Sequence, residues 1–238
     1  MIVAAINSQD LWYMTRGSGL MALVLLTVSV VLGISQIGRV SGPSMPRFVV
    51  AGLHRNVSLL SVVFLAVHVA TAIADPFAPI AVVDTFVPFV GSYRPVWLGL
   101  GAIATDLLLA LVVTSLLRYW IGYRTWRALH WAAYACWPIA VWHGLGTGSD
   151  TRVGWVQVIY VVCSVAVLVA LGWRLTTRWG ASDYAQRTLA ALGAAVVTIG
   201  LTAWTLQGPL RPGWAKRAGT PSGLLGGSTS TTTTPPGG

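Results

Sequence analysis

The sequence predicts an all-α membrane protein built as a bundle of six transmembrane helices. Hydrophobic residues make up 55% of the 238 residues and charged residues only 9%, whereas about 25% of the residues of a soluble domain are charged. Six apolar runs approach the roughly 20 residues that a helix needs to cross the hydrocarbon core. These runs are Gly17–Ile37, Val49–Ala74, Val96–Leu117, Leu129–Leu145, Val153–Trp173 and Leu189–Leu206.

The runs also predict the domain organisation. The first run follows Arg16 and has no small-residue cleavage site, so we interpret it as a retained helix and not as a signal peptide. The fourth run is short, which fits a helix buried among the others. We therefore expect an N-terminal segment (1–15), a six-helix domain (16–207) and a flexible tail rich in Gly, Ser, Thr and Pro (208–238).

The basic residues predict the orientation in the membrane. The net charge is +9, but the basic residues are spread over the connections and do not cluster on one face as nucleic-acid binding requires. Eight arginines lie in the connections that follow runs one, three and five, and a ninth, Arg55, lies near the start of run two, against a single acid, Asp183. The positive-inside rule assigns that side to the cytoplasm. We expect a multi-pass protein in the lipid bilayer with both termini outside.

The histidines form two pairs on two of the predicted helices. His54 and His68 stand in an i, i+14 relation on the second run, and His130 and His143 stand in an i, i+13 relation on the fourth. At 1.5 Å per residue these separations are about 21 and 20 Å. Runs two and four point the same way because one hairpin separates them. We expect His54 to face His130 near the cytoplasmic side and His68 to face His143 near the outer side.

Such pairs suit axial ligation of haem iron. A b-type haem between two helices takes one imidazole on each face of the iron, so two pairs predict two stacked haems between helices two and four. Zinc and copper sites need three or four ligands converging on one point. A lone histidine in a span often only makes an interhelical hydrogen bond. Four histidines matched in depth favour ligation by His54, His68, His130 and His143.

The i, i+13 spacing raises a geometric difficulty. On an ideal helix, an i, i+14 pair returns to nearly the same face, but an i, i+13 pair misses it by about 140°. Pro138 lies midway between His130 and His143. Because proline removes a backbone donor and kinks or tightens a helix, we expect Pro138 to correct the rotation.

These residues resemble the ferric reductase-like transmembrane family. That family includes the membrane parts of NADPH oxidases and ferric reductases and the haem-binding membrane subunit of bacterial periplasmic methionine sulfoxide reductase. The similar features, within about 12–175, are the two histidine pairs, TS-x-x-R (Thr114, Ser115, Arg118), WRALH (Trp126–His130) leading to Tyr134 and His143, the start Arg16–Thr27, and Asp75–Phe77. Cytochrome b of respiratory complexes has a similar paired-histidine bundle, but WRALH favours the first family.

The resemblance implies a dihaem cytochrome b in the bacterial inner or plasma membrane. Electrons would pass from a cytoplasmic donor to an outer acceptor, either a ferric chelate or an extracytoplasmic redox protein. No GxGxxG occurs in this sequence, so we expect no FAD or NADPH site, and the donor would be a separate flavoprotein or membrane quinol. The alternatives are a quinol-oxidising subunit of an outer reductase and, as a different class, a haem-free channel or transporter. We assign no catalytic residue to this electron-transfer oxidoreductase component.

Four arginines near the inner histidine pair are candidate partners of the haem propionates. Their other interpretation is that they are anchors whose side chains reach the water at the cytoplasmic interface. These arginines are Arg55, Arg118, Arg124 and Arg127.

Two further features leave alternatives open. Asp106 is the only acid inside a run, where a carboxylate usually faces the bundle interior or water. Asp106 could have a functional role, as a proton relay or as the group that holds the Nδ1–H of a haem ligand. Alternatively, it could have only a structural role, by bonding to a neighbouring helix. The apolar loop 76–93 is interrupted by prolines and is either a lid over the outer haem or an ordinary membrane-surface segment.

Overall fold

The computed structural model describes residues 7–37, 46–177 and 184–225. Within these ranges the regular secondary structure is entirely helical, as predicted. The helices are α1 (Ser8–Ile37), α2 (Arg47–Ala74), α3 (Val82–Phe86), α4 (Pro95–Leu116), α5 (Arg118–Ile121), α6 (Tyr123–His130), α7 (Ala133–Thr147), α8 (Gly154–Thr177), α9 (Tyr184–Gln207), α10 (Trp214–Arg217) and α11 (Ser222–Leu225).

Five of these helices are long and apolar enough to cross a membrane. They are α1, α2, α4, α8 and α9, and they confirm five of the six predicted spans as long apolar helices. The most extensive helix pair is α1 with α2, followed by α4 with α7. Many apolar side chains on α8 and α9 are exposed, among them Val161, Val165 and Ile199. Such surfaces suit contact with lipid, which makes the chain a multi-pass membrane protein.

The fourth predicted run differs from the expectation of one continuous helix. It is divided between the end of α6 and the 15-residue α7, which is only about 22 Å long, against a hydrocarbon core of about 30 Å. The six-helix count is therefore not confirmed. Between the end of α6 and the first turn of α7, the amides of four residues bond to the carbonyl three positions earlier; they are Trp131, Ala132, Tyr134 and Ala135.

These tight turns supply the rotation that the i, i+13 spacing lacks. A residue in a 3₁₀ turn advances by about 120°, compared with about 100° in an α-helix. Four such residues add about 80° and reduce the offset of about 140° to about 60°. The sequence assigns this correction to Pro138, but Pro138 lies inside α7. The tightening occurs in the turn or two before it.

The core lies between α1, α7 and α8. Leu23, Val141, Val167 and Cys163 are buried there. Cys136 is buried in a second cluster, with Leu108 and Leu111 of α4. Trp137 donates its indole Nε1–H to Thr27 Oγ1 at 2.9 Å, which links α7 to α1 through a buried polar contact. The tight contacts of α7 on two sides fix the helix that carries His143.

The described part of the predicted tail packs against the bundle. Pro209 and Ala218 are buried, and the Trp214 ring lies 5.4 Å from that of Trp97 and 5.7 Å from that of Trp204. Residues 226–238 lie outside the described residues. The division of the chain into three segments stays a prediction.

Candidate functional site

The structure brings the four histidines together in two pairs. The ring centroids of His54 and His130 are 6.3 Å apart, with an interplanar angle of 76°. Those of His68 and His143 are 6.2 Å apart, with an angle of 81°. The partners are those expected from matching depth. Each pair joins α2 to the α6–α7 segment, one pair toward either end of α2.

Helix α1 holds both histidines of α2 through backbone carbonyls. His54 Nδ1 lies 2.9 Å from Ser29 O, and His68 Nδ1 lies 2.8 Å from Thr15 O. A carbonyl oxygen only accepts hydrogen bonds, so Nδ1 carries the proton in each ring. This fixes the tautomer in which Nε2 has a free lone pair. Histidines that bind metals are typically held in this way by their second nitrogen.

The other two histidines differ in their support. His143 Nδ1 lies 2.8 Å from Trp97 O on α4, so its ring is held like those of α2. His130 Nδ1 is buried and has no hydrogen-bond partner within the described part of the chain. Its ring is instead stacked on Trp126, with centroids 4.9 Å apart. Three rings are thus fixed by hydrogen bonds and the fourth by aromatic contact.

Glycines on the supporting helices leave room for three of the imidazoles. A Cβ at Gly19 would lie 2.8 Å from His68 Nδ1, and a Cβ at Gly101 would overlap the His143 ring. At Gly33 the nearest ring atom is His54 Cε1, at 3.4 Å. Each glycine lies one helical turn after the carbonyl that holds the same ring. These positions were not among those predicted from the sequence.

A sequence signal for this support does exist. Thr15 and Ser29 stand in an i, i+14 relation, as do Gly19 and Gly33, and this is the interval between the two α2 histidines that they support. A search for small residues on one helix at the histidine spacing of another would have found them.

The geometry of each pair fits the axial ligands of one metal. An imidazole nitrogen lies about 2.0–2.1 Å from a bound metal, so two rings on opposite sides have centroids roughly 6.4 Å apart. The observed separations agree. In the described ranges no three His, Cys, Asp or Glu side chains converge on one point. A pair of donors at this separation suits a metal whose other ligands come from a macrocycle, as in haem.

A cavity opens at the His68/His143 end. It is lined by apolar residues of α1, α2, α4 and α7, and by both histidines. Phe77, Ile80 and Asp84 of the loop 76–93 border it, as the lid alternative requires. Val82 and Phe86 are exposed, as the surface-segment alternative requires, so both alternatives stay open.

Charged groups lie at the same end of the bundle as this cavity. Arg16 and Asp150, which form an ion pair with a distance of 3.3 Å between Nη1 and Oδ1, lie there. Arg94 immediately precedes α4 and is almost fully buried. It donates hydrogen bonds to Gly146 O, Thr147 O and Thr220 Oγ1. Burial lowers the pKa of its guanidinium below the ordinary value. Arg94 thus joins the start of α4 to the end of the helix that carries His143.

The four candidate arginines lie on α2, α5 and α6 and are exposed. They are Arg55, Arg118, Arg124 and Arg127. The guanidinium of Arg118 lies 5.2 Å from the centre of the Trp126 ring, which itself packs on His130.

Asp106 makes no hydrogen bond or ion pair with another described residue. One alternative for Asp106 was to hold the Nδ1–H of a histidine, but in three of the four histidines a backbone carbonyl holds that group.

Comparison with known proteins identifies the family. The family model for the ferric reductase like transmembrane component matches residues 18–141, slightly more than half of the chain. The match contains His54, His68 and His130 and ends just before His143. No curated protein and no solved structure matches the chain. Together with the paired histidines in an all-helical membrane bundle, this match shows that the chain belongs to the ferric reductase-like transmembrane family.

Proposed function

We propose that the chain carries electrons across the membrane through two b-type haems, one held by His54 and His130 and the other by His68 and His143. The observation that carries this proposal is the spacing of both pairs, 6.3 and 6.2 Å between ring centroids. Both values fit two imidazoles on one iron. The family match supports transmembrane electron transfer as the coarser statement.

The residues of this chain would position and insulate the carriers. A bound haem supplies a centre that accepts and releases one electron. The carbonyls of Thr15, Ser29 and Trp97 keep Nδ1 protonated, so that Nε2 would be free to bind the iron. Along α2 the two ligands lie about 21 Å apart, so the pairs would take electrons through most of the hydrocarbon thickness.

The proposed orientation places the His54/His130 pair near the cytoplasm. In this arrangement α6 and α7 together make the sixth crossing and both termini are outside, in the cell membrane. The arginines at that end, Arg55, Arg118, Arg124 and Arg127, would neutralise haem propionates; Arg55, Arg124 and Arg127 lie within two helical turns of a histidine of this pair along the chain.

The donor and acceptor follow from the same orientation. A cytoplasmic flavoprotein or a membrane quinol would supply electrons at the His54/His130 end. A ferric chelate or an extracytoplasmic redox protein would remove them at the His68/His143 end, where the cavity opens. A quinol donor would make the chain the membrane subunit of an outer reductase.

Proteoliposomes test electron transfer directly. The purified haem-loaded chain is reconstituted into vesicles that contain ferricyanide, with a flavin reductase and NADPH outside. We expect the internal ferricyanide to be reduced, and vesicles with His143→Ala or without protein to show no more than the background rate. Equal rates in all three preparations would contradict the proposal.

The choice of donor is tested in the same preparation. Nicotinamides give two electrons together and haem iron takes one, so a flavin normally separates the pair. We expect NADPH alone to leave the haems oxidised. Reduction after addition of a flavin reductase, but not of a quinol, would assign a flavoprotein donor; the reverse result would assign a quinol. Rapid reduction by NADPH alone would contradict the expected lack of a nicotinamide site.

A further inference from the structure

Three of the four histidines, all except His130, are supported in the same way. On α1 the carbonyls of Thr15 and Ser29 each bind a histidine, and a glycine follows one turn later. On α4 the carbonyl of Trp97 binds His143, and Gly101 follows one turn later. The unit is a carbonyl acceptor followed by a glycine that gives the ring room.

The position of a fourth unit is identifiable on α4. Trp126 Nε1 donates to Ser115 Oγ at 3.2 Å, and α4 runs antiparallel to α6. One turn back along α4 is Leu111, and one turn forward along α6 is His130, so the two lie at the same level. Leu111 follows Trp97, and Ser115 follows Gly101, by the same i, i+14 interval that relates the two units on α1. In this fourth unit, Leu111 corresponds to the residue that supplies the carbonyl, and Ser115 corresponds to the glycine.

Ser115 changes this fourth unit. A serine stands where the pattern has glycine, and its hydroxyl donates to Leu111 O at 2.7 Å. Leu111 O also lies 3.2 Å from the Thr114 hydroxyl. A carbonyl oxygen has two lone pairs, and its helical bond already uses one of them. His130 Nδ1 is left buried without an acceptor among the described residues.

The charged residues near the two histidine pairs also differ. Four exposed arginines lie near the His54/His130 pair, and no carboxylate accompanies them in the described connections at that end. The cavity at the His68/His143 pair is lined by Asp75, Asp84 and Asp150 together with Arg16. Positive surroundings favour the reduced form of an iron centre, and carboxylates favour the oxidised form.

From these observations we propose that the His54/His130 site has the higher reduction potential, and that Ser115 is a positioning residue that raises it by withholding Leu111 O from His130. The inference rests on the haem-binding function proposed above. An Nδ1–H bonded to a carbonyl makes Nε2 a stronger donor, which stabilises the oxidised iron. His130 lacks that bond and is the weaker axial ligand. At half reduction the electron rests at the His54/His130 site.

A spectroscopic redox titration of the purified haem-loaded chain tests the order. The wild type should titrate in two steps. His54→Ala should retain only the component with the lower midpoint potential. If the surviving component is the one with the higher potential, the proposed order is wrong. A protein that binds no haem would overturn both this proposal and the proposed function.

Variants of Ser115 test its role. Ser115→Gly frees Leu111 O from the serine hydroxyl, so the higher midpoint potential should fall while the lower one stays unchanged. Ser115→Ala should lower the higher midpoint potential by a smaller amount. If the glycine variant loses the haem at the His54/His130 site, the result of Ser115→Ala alone tests the proposal. Ser164→Gly is the control, because the Ser164 hydroxyl bonds Tyr160 O on α8 in the same way. Unchanged or raised potentials in the Ser115 variants would overturn the assignment.

Discussion

The two histidine pairs have the same ring separation but are held by different means. At the His68/His143 end, both rings donate to carbonyls and both fit closely over glycines, Gly19 and Gly101. At the His54/His130 end, one ring has a carbonyl and a looser glycine contact, and the other has a stacked tryptophan. The backbone fixes both rings of one pair, whereas at the other pair the backbone fixes one ring and side-chain packing holds the other.

This difference predicts unequal sensitivity to substitution. Close backbone contacts tolerate no added atom because the ring cannot move without losing its hydrogen bond. A stacked ring keeps some freedom to slide. We therefore expect small changes at the glycines to affect one site strongly and the other weakly.

The largest effect is expected at Gly101. A methyl group there would overlap the His143 ring, so Gly101→Ala should weaken haem binding at this site about 100-fold, the upper end for disrupted ligand support. Gly19→Ala, against His68, should act in the same direction. Haem content and the reduced spectrum measure the loss. Gly17→Ala is the control because no atom lies within 4 Å of its Cβ position, and an equal loss there would contradict the account.

A second large effect concerns Arg94, which stabilises the same end. Arg94→Met removes buried hydrogen bonds to Gly146 O and Thr147 O and should lower the free energy of unfolding by about 2 kcal/mol. Thermal unfolding in detergent checks this. Arg152→Met, on the nearby α7–α8 connection, is the control, because Arg152 is exposed. If both variants unfold at the wild-type temperature, Arg94 does not have this role.

At the other end, Trp126→Leu tests whether stacking takes the place of a hydrogen bond. The change removes the contact with the His130 ring and the bond to Ser115. We expect about tenfold weaker haem binding at the His54/His130 site, with no change at the other site. Haem titration resolved by spectrum measures it. Trp155→Leu is a control because that tryptophan is exposed on α8.

The smallest effect is expected at Gly33. Its Cβ would lie 3.4 Å from His54 Cε1, close to ordinary contact, so Gly33→Ala should change haem affinity by about twofold or less. The same titration applies. A loss as large as that of Gly19→Ala would show that the two ends are equally rigid, and the comparison would fail.

The sequence predicted the features that depend on composition and spacing. Membrane helices and the partners within each histidine pair follow from apolar length and from the i, i+14 and i, i+13 intervals. The resemblance to the family also depends on motifs such as TS-x-x-R and WRALH. The division of the fourth run did not follow, because the preference for 3₁₀ turns at Trp131–Ala135 depends on packing that no local pattern encodes. Pro138 was a reasonable candidate but stands inside α7.

The support of the histidines was the main part that sequence reasoning missed. Backbone carbonyls carry no side-chain signature, so the support by Trp97 O is found only when the helices are placed side by side. Thr15 O and Ser29 O are marked in the sequence only by an i, i+14 interval on α1 that matches the histidine interval on α2. For Asp106, holding a haem ligand is only one of the alternatives that the sequence leaves open, because a carboxylate inside a span can equally bond a neighbouring helix. The glycines were detectable only by comparing the spacing on α1 with that on α2.

The central claim is that each histidine pair holds its own haem, and double variants test it most directly. His54→Ala, His130→Ala and the double variant of both should each retain one haem per chain with the same remaining spectrum. His54→Ala combined with His143→Ala should retain none. If that last combination keeps one haem, or if His54→Ala with His130→Ala loses both, the pairing is contradicted.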